Sequence, residues 1–372
     1  REISKVDSIK GEEVYLTIDL RIQQYAINLL KSFKAGSINV LNIKNGEILC
    51  MASTPTYDPN KIIQKPNKQY WDSILANSLS PLTNRSIQGL YSPGSTFKMI
   101  VAIAALKYGI INIDSSHSCT GKIEFGDRLY HCWKTNGHGK MNVTDAITQS
   151  CDVFFYEISK KLGIEKIAEV ARDFGLGRTF DIALPNQKEG IIPTKKWKKD
   201  KLGESWYAGE TLISAIGQGF VLTNPFQLAV MTSIIASGGK KIEPSIIKKN
   251  KTNFKIKEKY LKEIKIIQKA MFKVVNENKG TAFKSRLTDI EFAGKTGTSQ
   301  VRRISISERE SEDFREKEQE WKNRDHALFV GYMPHDDPEY AVSVIIEHGG
   351  SGASTAAPIA KQIFNYINKL DL

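Results

Sequence analysis

The chain has 372 residues, of which 41% are hydrophobic, so it can bury a large core as one big domain or two smaller ones. It contains no run of about 18 apolar residues and no secretory signal, which excludes a membrane-spanning helix within this sequence. The net charge of +12 lies in lysine-rich stretches with little aromatic interleaving, and no nucleic-acid-reading module accompanies them. We therefore expect no nucleic-acid partner.

The first predicted elements are a helix and a hairpin. The segment LTIDLRIQQYAINLLKSF begins with a capping Thr or Asp and continues with apolar residues at helical spacing. SINVLNI, KNGE and ILCMAS follow, and their apolar and polar residues alternate around Asn45-Gly46, a strong hairpin signal. We expect this helix to lead into two antiparallel strands.

A strongly apolar helix is predicted next, in GLYSPGSTFKMIVAIAALKYG at residues 89–109. Ser95 lies at its start and Lys98 one turn later, so the two side chains share a face. If apolar surroundings desolvate Lys98, its amine is neutral and can accept the Ser95 proton. The free N–H groups at a helix start also stabilise developing negative charge.

The Ser-x-x-Lys spacing alone is weak evidence, because it recurs at Ser237 and Ser245 within SGGKKIEPSIIKK. That stretch is typical of an exposed lysine-rich turn and strand. It offers no buried helix that could desolvate a lysine. We therefore take Ser95 as the candidate nucleophile.

Three further strands are predicted near the C-terminus, in EFAGKTGTSQV, ALFVGYM and YAVSVIIEH. PHDDPE joins the last two as a turn, and an amphipathic helix over roughly residues 354–370 closes the chain. Residues 302–325 are mostly charged, which favours a solvated loop. Because this run directly follows KTGTSQ, it could alternatively gate a cleft or contact a partner.

The order of these elements predicts a single α+β domain. Two strands at the front and three at the back would form one mainly antiparallel sheet flanked by helices. We expect the sheet part to cover about residues 1–96 and 237–372, with an all-helical lobe inserted at about 97–236. A cleft would then lie between the sheet and the lobe, with Ser95 where the first half enters the lobe.

The sequence also carries the parts of a serine acyl-transfer site. The usual Ser-His-Asp arrangement is not indicated, because no G-x-S-x-G occurs. A different set is present in order, as STFK, SCD and KTG, and this set is the known signature of penicillin-binding proteins and class A β-lactamases. The predicted catalytic residues are Ser95, Lys98, Ser150, Asp152 and Lys295.

Each remaining motif residue has a physical role in this prediction. Lys295 supplies a cation for a substrate carboxylate, and Ser150 relays a proton between the lysines and the leaving nitrogen. Gly297 lets the substrate approach the strand closely. The N–H groups of Thr298 and of the nucleophile form the oxyanion hole, while the hydroxyls of Thr296 and Thr298 bind the carboxylate.

Nearly the whole chain resembles the transpeptidase domain of class B penicillin-binding proteins, and among them the elongation type, penicillin-binding protein 2. The residues that carry the resemblance are LTIDLRIQ, NGEILCMASTPTYDPN, LTNRSIQGLYSPGSTFK, GHGKMNVTDAITQSCDVFFY, GETLISAIGQGFVLTNPFQLA, AGKTGTSQV and HALFVGYMP. The resemblance implies the penicillin-binding/β-lactamase-like transpeptidase fold. It also implies D,D-transpeptidation of peptidoglycan through an acyl-enzyme, without a catalytic cofactor.

The resemblance further implies the setting of the enzyme. Its substrates are peptidoglycan stem peptides, it is acylated by β-lactam antibiotics, and a SEDS-type glycan polymerase and the elongation machinery are its expected partners. The expected place is the periplasmic face of the bacterial inner membrane. We expect an N-terminal anchor and pedestal beyond Arg1. Asp152 departs from the Asn of many relatives and is similar to the elongation-type pattern, although it lacks the amide donor.

A metal site is a further possibility. The spacing C-x12-C-x5-H-x12-C places three soft ligands and one imidazole within about 30 residues, enough for a closed tetrahedral zinc site. A disulfide between the first two cysteines, or simply buried thiols, would explain the same residues. Some elongation-type members bind a structural zinc through this stretch. The candidate ligands are Cys119, Cys132, His138 and Cys151.

Two other functions would use the same motifs. A serine β-lactamase must hydrolyse its acyl-enzyme quickly, and class A enzymes use an additional Glu for this step. The region after Ser150 lacks the E-x-x-L-N context that positions a hydrolytic water. A non-catalytic β-lactam sensor or scaffold is the second alternative, and the complete motif set favours an enzyme over it.

Overall fold

The computed structural model describes residues 7–63, 67–248, 255–256, 260–302 and 320–370. Most of the predicted charged loop, residues 303–319, lies outside the described residues. The strands are β1 (Gly36–Asn42), β2 (Ile48–Thr54), β3 (Ser116–Cys119), β4 (Lys122–Phe125), β5 (Arg128–His131), β6 (Gly139–Asn142), β7 (Lys240–Lys241), β8 (Lys255–Ile256), β9 (Ala293–Ser299), β10 (His326–Met333) and β11 (Tyr340–Ile346).

Helices surround these strands. They are α1 (Leu20–Leu30), α2 (Asn60–Ile63), α3 (Lys68–Leu75), α4 (Arg85–Gln88), α5 (Lys98–Lys107), α6 (Val143–Thr148), α7 (Asp152–Leu162), α8 (Ile164–Asp173), α9 (Lys195–Leu202), α10 (Ala208–Ala215), α11 (Pro225–Ala236), α12 (Leu261–Asn276) and α13 (Ala357–Ile367). The described helices include none that is long and apolar enough to cross a bilayer.

The central sheet has five antiparallel strands in the order β2-β1-β11-β10-β9. Its strands are the five that the sequence predicts, and they come from both ends of the chain. The central strand β11 pairs with β1 on one side and β10 on the other. Residues far apart in sequence are therefore brought together, and β9, which carries KTG, forms one edge.

The first and last predicted helices flank this sheet. Asp19 caps α1 by accepting hydrogen bonds from the N–H groups of Arg21 and Ile22. The last helix, α13, is shorter than expected, because a π-helical turn at Gly352–Ala356 precedes it. Helices α1 and α13 pack against each other and against the sheet, while α11 packs on β1, β10 and β11.

The middle of the chain is mainly helical, but it contains two small ribbons, so the expectation of an all-helical lobe there is wrong. Strand β3 pairs with β6, and β4 pairs with β5. These strands have four residues each and are largely exposed, so they are too short to give a clear alternation in the sequence. All twelve residues of α11 and eight of the ten in α5 are buried. One continuous hydrophobic core joins the middle segment to the sheet.

Candidate active site

Ser95 lies in a single 3-10 turn, Gly94–Phe97, which continues directly into α5. This turn packs against two neighbouring segments. The Gly94 N–H donates to the Gly217 carbonyl at 2.9 Å. On the other side, Gly94 lies so close to β9 that a Cβ at this position would be 2.5 Å from the carbonyl oxygen of Thr298. The turn therefore packs tightly on β9, which brings Ser95 next to the KTG strand.

Lys98 is the first residue of α5, and its side chain is fully buried. Its Nζ donates to Asp152 Oδ1 at 2.6 Å, to the Ser150 carbonyl at 2.9 Å and to Ser150 Oγ at 3.2 Å. The expectation of apolar surroundings for Lys98 is therefore wrong, because its amine faces a carboxylate and two further oxygens. The first two motifs meet directly at this lysine.

Ser150 and Asp152 belong to the turn between α6 and α7, which we call the 150–152 turn. Ser150 has a φ of +57°, a left-handed conformation that side-chain-bearing residues rarely adopt. Asp152 follows at the N-terminus of α7, and its second oxygen, Oδ2, accepts the Trp133 N–H at 2.9 Å. Both carboxylate oxygens of Asp152 are thus engaged.

Lys295, on β9, is also fully buried, and its Nζ donates to the Thr296 carbonyl at 3.1 Å. Burial and the nearby Lys98 ammonium hold the pKa of Lys295 well below its usual value, while Asp152 acts in the opposite direction. This differs from the expected cation at Lys295. The sequence did not predict a lowered pKa at Lys295.

A cleft of about 1450 Å³ runs past these residues, between β9, the β4–β5 ribbon and α10. The predicted residues that line it are Ser95, Ser150, Asp152, Thr296, Gly297 and Thr298. The two lysines lie behind this lining. A Cβ at Gly297 would lie 3.0 Å from the Pro93 carbonyl oxygen, so the segment that leads into the Ser95 turn packs closely on this glycine.

Three further cleft residues, which the sequence did not predict, contact the motifs. Thr281 Oγ1 lies 2.7 Å from Thr296 Oγ1, and Gln218 Nε2 donates to the Thr298 carbonyl at 3.0 Å. Trp133 contacts the 150–152 turn. These contacts depend on long-range packing, and no local pattern in the sequence indicates them. The position of Trp133 next to the candidate ligand Cys132 is the one available signal.

The other two Ser-x-x-Lys segments are separate from this cleft. Lys240 and Lys248 are both exposed, which agrees with the exposed turn and strand expected there. Ser245 is buried, but its hydroxyl donates to the Ile247 carbonyl at 2.7 Å. These two segments therefore lack the buried lysine found at Lys98.

The four candidate metal ligands come together in the structure. The ligand atoms of Cys119, Cys132, His138 and Cys151 all lie within 4.8 Å of one another. His138 Nδ1 is 3.6 Å from Cys119 Sγ and 3.5 Å from Cys132 Sγ. All four cysteines of the chain are free thiols, so the alternative disulfide between Cys119 and Cys132 is not present. Cys151 lies inside the 150–152 turn and connects this thiol cluster to the candidate catalytic residues.

The pKa values of two thiols in the cluster are shifted in opposite directions. A hydrogen bond with Cys151 and the contact with His138 lower the pKa of Cys132, against the effect of burial. The same hydrogen bond and burial raise the pKa of Cys151. The His138 ring faces the sulfurs through Nδ1. Its buried Nε2 has no hydrogen-bond partner among the described residues.

Residues 36–365 match the family described as the penicillin binding protein transpeptidase domain. The chain belongs to this family. The matched range contains all five sheet strands, the cleft and the thiol cluster, so the transpeptidase domain accounts for every candidate site residue.

Curated relatives of this transpeptidase domain carry the name peptidoglycan D,D-transpeptidase MrdA. The Acinetobacter baumannii protein is 35% identical over 98% of this chain and 55% of its own length. The Salmonella typhimurium protein is 32% identical over 99% of this chain and 60% of its own length. The chain therefore spans somewhat more than half the length of these relatives.

Solved penicillin-binding structures show the same fold. A complex between penicillin-binding protein 2 and MreC from Helicobacter pylori has a TM-score of 0.87 at 32% identity, covering 96% of this chain and 64% of that one. Penicillin-binding protein 2 of Pseudomonas aeruginosa, in complex with WCK 5153, has a TM-score of 0.86 at 32% identity, covering 98% and 80%. The predicted family, its elongation-type resemblance and the α+β fold class are confirmed.

Proposed function

We propose that this domain is a peptidoglycan D,D-transpeptidase that works through a Ser95 acyl-enzyme. Ser95 Oγ attacks the carbonyl carbon between the two terminal D-Ala residues of a stem peptide, and the terminal D-Ala leaves with a proton on its nitrogen. An amine of a second stem peptide then attacks the ester, and Ser95 regains its proton. The observation that carries this proposal is the contact of Lys98 with Ser150 and Asp152, which line the same cleft as Ser95.

The two lysines behind the cleft supply the general base. Lys98 and Lys295 form a buried pair beside one carboxylate, and burial lowers the pKa of Lys295, which favours loss of its proton. The pair can therefore accept the Ser95 proton, and Ser150, hydrogen-bonded to Lys98, relays it to the leaving nitrogen. The N–H groups of Ser95 and Thr298 stabilise the oxyanion, while Thr296 and Thr298 bind the substrate carboxylate.

Mass spectrometry of the penicillin adduct tests this proposal. After incubation with benzylpenicillin, we expect the intact protein to gain the mass of one penicilloyl group, and peptide mapping to place it on Ser95. Ser95→Ala should gain none. Ser237→Ala, which alters another Ser-x-x-Lys segment, serves as the matched control and should be labelled like the parent. An adduct elsewhere would overturn the proposal, and rapid loss of the adduct would favour a β-lactamase.

We infer the cellular setting from the relatives. Their name, MrdA, and the structures of penicillin-binding protein 2 with MreC and of a peptidoglycan synthase complex support a role in cell elongation. The partners proposed for this chain are a SEDS-type glycan polymerase and the elongation machinery. Its proposed place is the periplasmic face of the inner membrane, through an N-terminal anchor and pedestal. Co-purification of the polymerase with a tagged full-length protein would test this.

We also propose that Cys119, Cys132, His138 and Cys151 bind a structural zinc ion. Tetrahedral zinc, with bonds of about 2.3 Å to sulfur and 2.0–2.1 Å to nitrogen, separates sulfur from nitrogen by about 3.6 Å. The two measured separations, 3.5 and 3.6 Å, fit this geometry. When bound, the ion would cross-link the loop at Cys132 to the 150–152 turn without entering the reaction.

Metal analysis tests the zinc proposal. We expect about one zinc per chain in the purified protein and a lower melting temperature after chelation. Cys132→Ser should lose the metal, whereas Cys50→Ser, at a cysteine outside the cluster, should retain it. A parent protein without stoichiometric zinc would contradict the proposal.

A further inference from the structure

Trp133 follows Cys132 directly and lies at the rim of the cleft, with 56% of its surface exposed. Both of its N–H groups nevertheless donate to the protein. Its backbone N–H donates to Asp152 Oδ2 at 2.9 Å, and its indole Nε1–H donates to the carbonyls of Ser150 at 3.0 Å and Gln149 at 3.2 Å. An exposed tryptophan at a rim would ordinarily give its indole N–H to water, so this inward direction needs an explanation.

The acceptors of Trp133 also hold Lys98. The Ser150 carbonyl accepts from Lys98 Nζ at 2.9 Å, and the other oxygen of Asp152 accepts from it at 2.6 Å. A carbonyl has two lone pairs and a carboxylate has two oxygens, so each group can serve Trp133 and Lys98 together. Trp133 thereby fixes the orientation of two of the groups that bind the Lys98 amine.

The 150–152 turn needs such support. Ser150 has its left-handed φ of +57°, which the surrounding structure must hold in place. Trp133 supports the turn from the side of the thiol cluster, because it is bonded to Cys132 and its ring packs edge-on against His138 at 5.3 Å. The turn is therefore held by Lys98 on one side and by Trp133 on the other.

We propose that Trp133 is a positioning residue. Its indole N–H holds the 150–152 turn, and through this turn Lys98, in the arrangement that acylation of Ser95 requires. The inference rests on the proposed function, because it assigns Trp133 a part in the same acylation step.

The test measures acylation by a fluorescent penicillin over a range of concentrations. This separates the rate constant at saturation from the half-saturating concentration. Trp133→Phe keeps an aromatic ring and the backbone N–H but removes the indole donor. We expect the rate constant at saturation to fall about tenfold, as for the loss of one partly buried hydrogen bond, with the half-saturating concentration unchanged. Trp71→Phe, at an exposed tryptophan outside the cleft, should behave like the parent.

Three results would overturn the inference. One is a Trp133→Phe protein that is acylated like the parent. The second is a rise in the half-saturating concentration alone, which would make Trp133 a ligand contact. The third is a rate loss that Trp71→Phe shares. Should the Phe protein fail to fold, benzothienylalanine at position 133 replaces the N–H by sulfur in a ring of similar shape. A parent protein that is not acylated at Ser95 would instead overturn the proposed function.

Discussion

Lys98 and Lys295 are both fully buried beside the same carboxylate, Asp152. Lys98 forms an ion pair with Asp152, whereas the Lys295 amine donates to the backbone carbonyl of Thr296. Burying a charge without a paired counter-charge is costly, and this cost lowers the pKa of Lys295. The residue types were predictable from the motifs. Their pairing was not, because Asp152 reaches Lys98 across 54 positions of the sequence.

Replacing Lys295 by methionine should therefore stabilise the protein while it abolishes function. We expect Lys295→Met to raise the free energy of unfolding by about 1–2 kcal/mol, since an apolar side chain fills the site without desolvating an amine. Penicillin acylation should fall by at least about 100-fold. Urea unfolding and acylation kinetics measure the two effects, and a destabilised variant would contradict the first.

The same substitution should change the pH dependence of stability. The unfolded state holds the Lys295 proton up to about pH 10.4, while the native state releases it at lower pH. Because the unfolded state binds more protons in this window, parental stability should rise with pH until about 10.4. Lys295→Met should lose this part of the slope.

His326 gives a second pH-dependent effect, away from the cleft lysines. Burial, and then the nearby His348, lower the pKa of His326 to about 4, while Glu347 acts in the opposite direction. Its Nδ1 accepts the His348 N–H at 2.9 Å, which requires the nitrogen to be unprotonated. The contribution of unprotonated His326 to the free energy of unfolding should therefore be fully present above about pH 6.5. About 2–3 kcal/mol of it should be lost as the pH drops to 4.

His326→Asn tests this effect, because its side-chain oxygen can replace Nδ1 as the acceptor. We expect the variant to lose less stability than the parent between pH 6.5 and 4, as measured by urea unfolding at each pH. Equal acid slopes for the two proteins would show that His326 is not the titrating group.

At the scale of elements, the Ser95 turn is placed by its packing on two other segments. Gly217 has a φ of +70°, and a Cβ there would lie 2.2 Å from the Gly94 carbonyl. The sequence predicted the strand that carries KTG and the helix that follows Ser95. It could not predict that the Gly217 loop contacts the Ser95 turn, because a close approach between two backbones has no sequence pattern other than the glycine itself.

Gly217→Ala should displace the Ser95 turn. We expect a loss of about 2–4 kcal/mol of stability, from the left-handed backbone and the overpacked contact, and an acylation rate at least tenfold lower. Gly203→Ala is the matched control, because Gly203 has a φ of +73° and open space around its Cβ position. It should lose about 1 kcal/mol and acylate normally. Equal acylation by both variants would show that the Gly217 contact does not position Ser95.

At the scale of the whole molecule, the two ends of the chain meet in one sheet. The hairpin signal at Asn45-Gly46 and the apolar C-terminal runs predicted all five strands, since each is long enough to show its pattern. The four short strands β3–β6 did not show one, so the cleft wall that the β4–β5 ribbon forms was not predicted. The order of the sheet strands follows from tertiary pairing that local sequence does not encode.

The continuous core predicts that the sheet part and the helical middle unfold together. Ile345, in the central strand β11, is 1% exposed and pairs with both Ser37 and Leu328. Ile345→Ala should cost about 2–5 kcal/mol through the cavity it leaves. Far-UV circular dichroism reports the whole chain, whereas fluorescence weights the middle segment, which holds Trp133, Trp197 and Trp206. If the domain is one cooperative unit, both probes should shift by the same amount. A shift seen by circular dichroism alone would mean that the helical lobe unfolds independently of the sheet.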